Sequence, residues 1–221
     1  LKLDYIKLSS GDITNGHLLS LLKKKKKKIL LSTGASSFDD IKNALNIINI
    51  DKKNIILLHC TSNYPAPLKE LNLKVLRKME RKFKCNVGYS DHSLSTIVPA
   101  LAVCMGAKVI EKHFTLNRNL PGPDHRASLL PHELKSMIEN IKHAELVLGN
   151  ENKQVTMSEK RNQKIIRRSI YVKKKILKGE KFSSENLICL RPSSGLSAIS
   201  WNKMIGKKSK KNYKKNDKIK I

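Results

Sequence analysis

The stretch Ile55-Ile56-Leu57-Leu58-His59-Cys60-Thr61-Ser62 decides the fold: an apolar run that stops abruptly in residues able to do chemistry. A short, continuous apolar run is the pattern of a strand buried on both faces, as in a parallel sheet, and not of a half-exposed antiparallel strand. Working outward, the pattern recurs at Tyr5-Ile6-Lys7-Leu8-Ser9, Ile29-Leu30-Leu31-Ser32-Thr33, Asn86-Val87-Gly88-Tyr89-Ser90 and Lys108-Val109-Ile110-Glu111-Lys112-His113-Phe114. Amphipathic stretches between these runs predict helices near 15–22, 37–49, 71–83 and 94–105, with 131–148 after the last strand. Strands alternating with helices make right-handed βαβ units on a parallel sheet. Each run ends in small or polar residues: Lys7, Ser9 and Ser10; Ser32, Thr33 and Gly34; His59, Thr61 and Ser62; Ser90, Asp91 and His92; Glu111 and His113. The C-terminal edge of a (β/α)8 barrel is where such residues form a site. A doubly wound sheet also places ligands there, but the sequence has no GxGxxG or GxxxxGK[ST] phosphate loop. The reading is an α/β protein with a partial (β/α)8 TIM barrel, about the last five of its strands, over residues 1–149.

Composition sets the outer limits. With 221 residues, 39% of them hydrophobic, the chain can bury a core and carry a second small domain. A net charge of +27 raises nucleic acid or an anionic membrane as partners. The lysines come in runs, Lys23 to Lys28 and Lys173 to Lys175, amid abundant Ile and Asn, which is the bias of an AT-rich coding sequence and of solvated faces. Only 5% of residues are aromatic, too few to stack many bases, so a basic nucleic-acid-binding protein is kept only as an alternative. Cys60, Cys85, Cys104 and Cys189 show no CxxC pair and read as reduced thiols. No run is long enough to span a bilayer and no signal-peptide order is present, so the expectation is a cytoplasmic protein with no membrane partner. The opening Leu1-Lys2-Leu3-Asp4-Tyr5-Ile6 is already strand-like and lacks an initiator Met, from which the expectation is an N-terminally truncated piece, inactive alone.

After Gly149 the pattern changes. Residues 150–166 read as a polar linker, and 167–221 as a small, irregular β-rich domain with strand-like Ser169-Ile170-Tyr171-Val172 and Leu187-Ile188-Cys189-Leu190, punctuated by Gly179, Pro192 and Gly195.

Side chains alternate along a strand, so Glu111 and His113 share one face, as do Ser90 and His92. Two neutral imidazoles converging from neighbouring strand ends suit a divalent transition metal with positions left open; a strand-end histidine also serves as a plain hydrogen-bonder. Glu111 is a candidate general acid or base, or a salt-bridge partner for a lysine. Lys7, Ser9, Ser10 and Ser32-Thr33-Gly34 offer an ammonium, hydroxyls and amides to a phosphate, or are ordinary turn residues.

Four blocks carry a resemblance: His59-Cys-Thr-Ser-Asn-Tyr-Pro-Ala-Pro67, Gly88-Tyr-Ser-Asp-His92, Val109-Ile-Glu-Lys-His-Phe-Thr115 and Pro121-Gly-Pro-Asp-His-Arg-Ala-Ser128. In order and spacing they resemble the N-acetylneuraminate (sialic acid) synthase family. Arg167-Arg-Ser-Ile170, Lys178-Gly-Glu180 and Leu190-Arg-Pro-Ser-Ser-Gly-Leu196 resemble that family's antifreeze-like SAF domain, so the likeness covers essentially the whole chain. It implies condensation of phosphoenolpyruvate with N-acetylmannosamine to N-acetylneuraminate and phosphate, with pseudaminic or legionaminic acid synthesis as the alternative. It implies His92 and His113 as ligands of a divalent metal, Mn2+ first and Mg2+ or Co2+ next, and Glu111 as the proton-transfer residue. Lys7, Ser10, Ser32, Ser62 and Ser90 would hold phosphoenolpyruvate, although Ser62 stands where some members carry Asn. Tyr64 and Asp124 would contact the sugar. Arg191 would reach into the neighbouring barrel of a homodimer with a swapped SAF lid. The family's N-terminal barrel portion, with a further acidic residue and lysine, is not in this sequence.

Overall fold

The computed structural model describes residues 3–25 and 27–220; Leu1, Lys2, the Lys26 of the first lysine run and Ile221 lie outside the described residues. The chain divides into two compact units, Leu1–Asn150 and Glu151–Ile221.

The first unit is an α/β unit with a five-stranded parallel sheet in sequential order. The strands are β1 (Tyr5–Leu8), β2 (Lys28–Ser32), β3 (Ile55–Cys60), β4 (Asn86–Asp91) and β5 (Ile110–Lys112). The crossovers carry α1 (Gly16–Leu22), α2 (Phe38–Ile48), α3 (Val75–Phe83) and α4 (Val98–Cys104), and α5 (Pro131–Leu148) follows and packs beside α4. Local chemistry fixes the helix ends. The Asn15 side chain accepts from the Leu18 amide at the start of α1. At α2, Ser37 and Asp40 cap each other's amides, and the helix stops at Asn49 in the left-handed conformation.

The register divides the sheet into two faces. Leu8, Leu31, Leu57 and Val87 stand abreast and pack into one core with Leu19, Ile48, Leu76 and Met79 from the helices. Each such fully buried side chain stabilises the fold by roughly 1.5–3 kcal/mol. The opposite face carries Lys7, Ser32, Leu58, Cys60, Gly88, Ser90 and Glu111. Leu58, paired with Gly88, is fully buried on that face, and a Cβ on Gly88 would lie 2.6 Å from the Leu58 Cδ2 and 2.7 Å from the Val109 carbonyl oxygen. The glycine is there so that neighbouring strands can close over it.

Some elements differ from the sequence expectation. Helix α3 starts at Val75 and not near 71, because Asn72 takes a positive φ of 46° and its carbonyl closes a turn onto the Val75 amide. Helix α4 starts at Val98 and not near 94, because the Ser95 hydroxyl accepts from the Ile97 and Val98 amides and holds a turn there. Strand β5 is confined to Ile110–Lys112, and Phe114 pairs instead with Leu129.

The second unit opens with α6 (Met157–Ile166), a helix inside the segment read as a polar linker. Thr156 and Glu159 form its capping box, which starts the helix even though none of its residues is buried. Beyond it, β6 (Ser169–Val172) and β7 (Leu187–Leu190) pair antiparallel, and α7 (Trp201–Met204) is a single turn. Isolated bridges tie Ile176 to Tyr213 and Lys181 to Lys208. Ile170, Val172, Ile176, Phe182, Leu187, Tyr213 and Ile219 make a separate small core. Among the described residues no helix is long and apolar enough to cross a membrane.

Replacing Gly88 by Ala is expected to destabilise the first unit by about 1–3 kcal/mol, because the clash is partly with backbone that cannot yield. Urea unfolding followed by circular dichroism measures it, and an unshifted midpoint would contradict the close-packing account.

Candidate functional site

At the C-terminal ends of β1, β4 and β5 a line of polar contacts crosses the sheet. Lys7 Nζ lies 3.2 Å from Glu111 Oε2. The other carboxylate oxygen of Glu111 accepts from Ser90 Oγ at 2.7 Å, and Ser90 Oγ is 3.3 Å from His92 Nε2. The arrangement follows from strand register: Ser90 pairs with Glu111, so both side chains leave the sheet on one face. Glu111 is thus paired with a lysine, the salt-bridge partnership the sequence offered for it, while its side chain faces the pocket.

His92 is buried, and burial pushes its pKa below the ordinary histidine value, with the nearby His113 adding to that shift, so the ring is held neutral. Its Nδ1 sits 2.7 Å from the Thr61 carbonyl, which can only accept, so the single ring proton belongs on Nδ1. Nε2 then presents a lone pair. The one hydrogen of Ser90 Oγ goes to the Glu111 carboxylate and leaves that lone pair without a donor. A neutral imidazole oriented by a carbonyl behind it, with its outer nitrogen unprotonated, is the arrangement of a metal-ligating histidine. The His113 ring stands 5.5 Å away, centroid to centroid, at 76°. At that spacing both rings can reach one ion bound at about 2.0–2.1 Å per nitrogen. Among the described residues no three His, Cys, Asp or Glu side chains converge as a closed metal site, so the histidines offer two ligands and leave open positions. The residues present fit a divalent transition ion in that open form.

The Tyr64 ring packs 4.1 Å from His92 and 5.5 Å from His113, and partial burial raises its hydroxyl pKa. Asp124 reaches His113, with Oδ2 3.8 Å from Nδ1. Lys7, Tyr64, Ser90, His92, Glu111, His113 and Asp124 therefore meet at one edge.

A second cluster lies at the ends of β1, β2 and β3. Ser10 Oγ accepts from the Gly34 amide at 2.9 Å and is 3.2 Å from Cys60 Sγ. A Cβ on Gly34 would fall 2.9 Å from Ser10 Oγ, 3.0 Å from Cys60 Sγ and closer still to Ser62 Oγ. Three polar side chains converging on a bare Cα make a cradle that only glycine leaves open. A cleft of about 470 Å3 adjoins it, lined by Ser10, Gly34, Ser36 and Ser62 among others. Ser32 stands on the same face, its hydroxyl buried with no hydrogen-bond partner among the described residues.

Sequence reasoning passed over several contributors. Gly34 was among the strand-end candidates, but Cys60 joins its cradle only through folding. His59, grouped by sequence with the strand-end residues, faces the helices instead: its Nε2 donates to the Leu71 carbonyl at 2.7 Å and its ring packs 5.8 Å from Tyr89. Behind the histidines, Lys112 Nζ lies 2.7 Å from Asp91 Oδ2, with both side chains almost fully buried; burial lowers the Lys112 pKa against the opposing pull of Asp91. Arg191 belongs to the second unit, where it is exposed just after β7.

The NeuB family model matches residues 1–153 and the SAF domain model residues 167–220. The chain is 44% identical to the N,N'-diacetyllegionaminic acid synthase of Campylobacter jejuni, over 99% of this chain and 66% of that protein. It is 40% identical to the protein of the same name from Legionella pneumophila, over 91% of this chain and 58% of that one. Among solved structures it resembles the N-acetylneuraminic acid (sialic acid) synthetase of Leptospira borgpetersenii in complex with citrate, at 34% identity and a TM-score of 0.67, covering 73% of this chain and 56% of that one. The chain thus spans less than two thirds of the length of those relatives.

Burial also lowers the pKa of His59. Above about pH 6.5, the ordinary histidine value, the ring is neutral folded or unfolded. Below it, the unfolded chain takes up a proton that the folded chain resists, so stability falls as pH drops towards the folded pKa. Urea midpoints at pH 7.5 and 5.5 should therefore separate, and His59→Gln, which keeps a donor for the Leu71 carbonyl, should narrow the gap. An equal gap in the variant would remove His59 as its cause.

Proposed function

The chain belongs to the NeuB family and carries a SAF domain, and from that premise we propose that it serves a synthase joining phosphoenolpyruvate to an N-acetylated sugar to form a sialic-acid-type 2-keto acid. The observation that carries the reading is the convergence of Lys7, Ser90, His92, Glu111 and His113 on one strand edge, beside the Ser10–Gly34–Ser62 cradle. The reaction makes a bond from C3 of phosphoenolpyruvate to the aldehyde carbon of the open-chain sugar, consumes one water and releases phosphate.

In this reading the Lys7 ammonium and the hydroxyls of Ser10, Ser32 and Ser62, with Ser90, hold the anionic substrate. The orphaned Ser32 hydroxyl supports it, since a buried donor without a partner costs about 1–3 kcal/mol. His92 and His113 would hold a divalent ion that supplies a Lewis acid for the aldehyde oxygen. Imidazole nitrogens favour Mn2+ or Co2+ over Mg2+, which prefers oxygen ligands. Glu111, bonded to Ser90 and paired with Lys7, would hold or pass a proton through its carboxylate. Tyr64 and Asp124, beside the histidines, would orient the sugar.

The acceptor is the finer question. N-acetylmannosamine, leading to N-acetylneuraminate, is one reading. The 44% and 40% identities to N,N'-diacetyllegionaminic acid synthases, against 34% to the sialic acid synthetase, favour the sugar precursor of legionaminic acid. We propose further that the sequentially ordered parallel sheet is part of a (β/α)8 barrel, and that the protein is a homodimer in which Arg191 serves a partner's pocket. Light scattering of the intact protein tests the dimer, and an active monomer would contradict it.

With Mn2+ present, the intact protein carrying this chain should release phosphate from phosphoenolpyruvate only when the sugar is added, and mass spectrometry should identify the acid formed. His113→Ala should lower kcat/KM about a hundredfold or more, as loss of a Lewis acid requires. An unchanged His113→Ala rate would reject the metal role, and turnover with neither sugar would reject the reaction.

A further inference from the structure

The two histidines are each flanked in sequence by one member of a buried ion pair. Asp91 precedes His92 and Lys112 precedes His113. Because side chains alternate along a strand, the charged residues leave the sheet on the face opposite the histidines. There Lys112 Nζ meets Asp91 Oδ2 at 2.7 Å, with side-chain exposures of 3% and 0%. Three further bonds close the cluster. Asp91 Oδ1 accepts from the Ser93 amide at 2.9 Å, Asp91 Oδ2 accepts from Ser93 Oγ at 3.2 Å, and Lys112 Nζ donates to the Ser93 carbonyl.

The cluster therefore grips the backbone on both sides of His92 and ties it to β5 one residue before His113. Strand β5 is paired to β4 through only Tyr89–Ile110, Ser90–Glu111 and Asp91–Lys112. The last pair is the one the ion pair reinforces, and it lies where regular pairing stops and both histidines begin. A buried ion pair is a poor source of stability, since apolar residues of like volume often stabilise as well or better. What it adds is geometry: charged partners with fixed donors and acceptors allow one register and one path of the Asp91-His92-Ser93 corner.

We propose that Asp91 and Lys112 are positioning residues which, from the reverse face of the sheet, hold the His92 and His113 rings at their mutual spacing. The inference deepens the metal-site reading and leans on it for only one of its two readouts.

The test is the double substitution Asp91→Leu with Lys112→Met in the intact protein, chosen because it removes both charges and refills the space. Two quantities are followed in the metal-free protein and on titration. The first is the His92 Nδ1 proton, seen by imidazole 15N NMR and slowed in exchange by its bond to the Thr61 carbonyl. The second is Co2+ affinity, read from visible absorption. The expected result is a melting temperature near or above wild type, a His92 Nδ1 signal lost or averaged, and Co2+ binding at least tenfold weaker. A double variant that keeps both the signal and the affinity overturns the proposal. If the wild type binds no Co2+, or binds it equally after His92→Ala, the metal reading alone fails, and the His92 signal still decides positioning. Should the double variant not fold, Asp91→Asn, nearly the same shape without the charge, takes its place: a broadened His92 signal supports positioning, and an unchanged one overturns it.

Discussion

One pairing register governs the strand-edge chemistry. Opposite β4 the backbone of β5 is in regular contact over three residues, and in that register Ser90 faces Glu111 while Asp91 faces Lys112. A slip by one residue would send every side chain of β5 to the other side of the sheet. Glu111 would then be buried among helices beside Ile110 positions that now hold the core, and the lysine would stand in the pocket. The same alternation lets a three-residue strand carry two opposite tasks, with Glu111 in the polar line and Lys112 in the buried pair.

Scarce negative charge makes the placement of each carboxylate informative. The chain has 45 Lys and Arg against 18 Asp and Glu. Several of those carboxylates are engaged in local structure: Asp40 and Glu159 in capping boxes, Asp51 at a turn amide, Glu133 on Arg118 at 2.5 Å. Asp91 and Glu111 are different, since Asp91 ties β4 to β5 and Glu111 ties β5 to both β4 and β1. In a chain of this charge the surroundings of the strand edge are already positive, so the few carboxylates that stand there are conspicuous.

The apolar runs made the parallel sheet legible, because a strand buried on both faces leaves a signature that needs no neighbour to interpret: Ile55-Ile56-Leu57-Leu58 is apolar throughout. The common face of Ser90, His92, Glu111 and His113 was legible for the same reason, since period-two alternation is local. Contacts that depend on which residue lies abreast of which were not. The Asp91–Lys112 pair joins residues 21 apart in sequence, and Cys60 meets Ser10 across 50. The departures in helix boundaries have another cause. At Asn72 and Ser95 a turn captured the backbone first, and hydrophobic period does not report that. Helix α6 was hidden by the converse, a strong cap at Thr156 on a segment that buries none of its residues.

The contact between Leu58 and Gly88 has an evolutionary reading. The leucine fills the space a side chain at 88 would need, and the Val109 carbonyl closes the remainder. Neither position can change alone in the obvious direction, because a larger residue at 88 collides and a smaller one at 58 leaves a void. Residues in such contact couple strongly, so their effects do not add. Descendants of this sequence are thus confined to a narrow ridge at these sites: any lineage that exchanges the large and small partners must cross an unstable intermediate, or acquire both changes together.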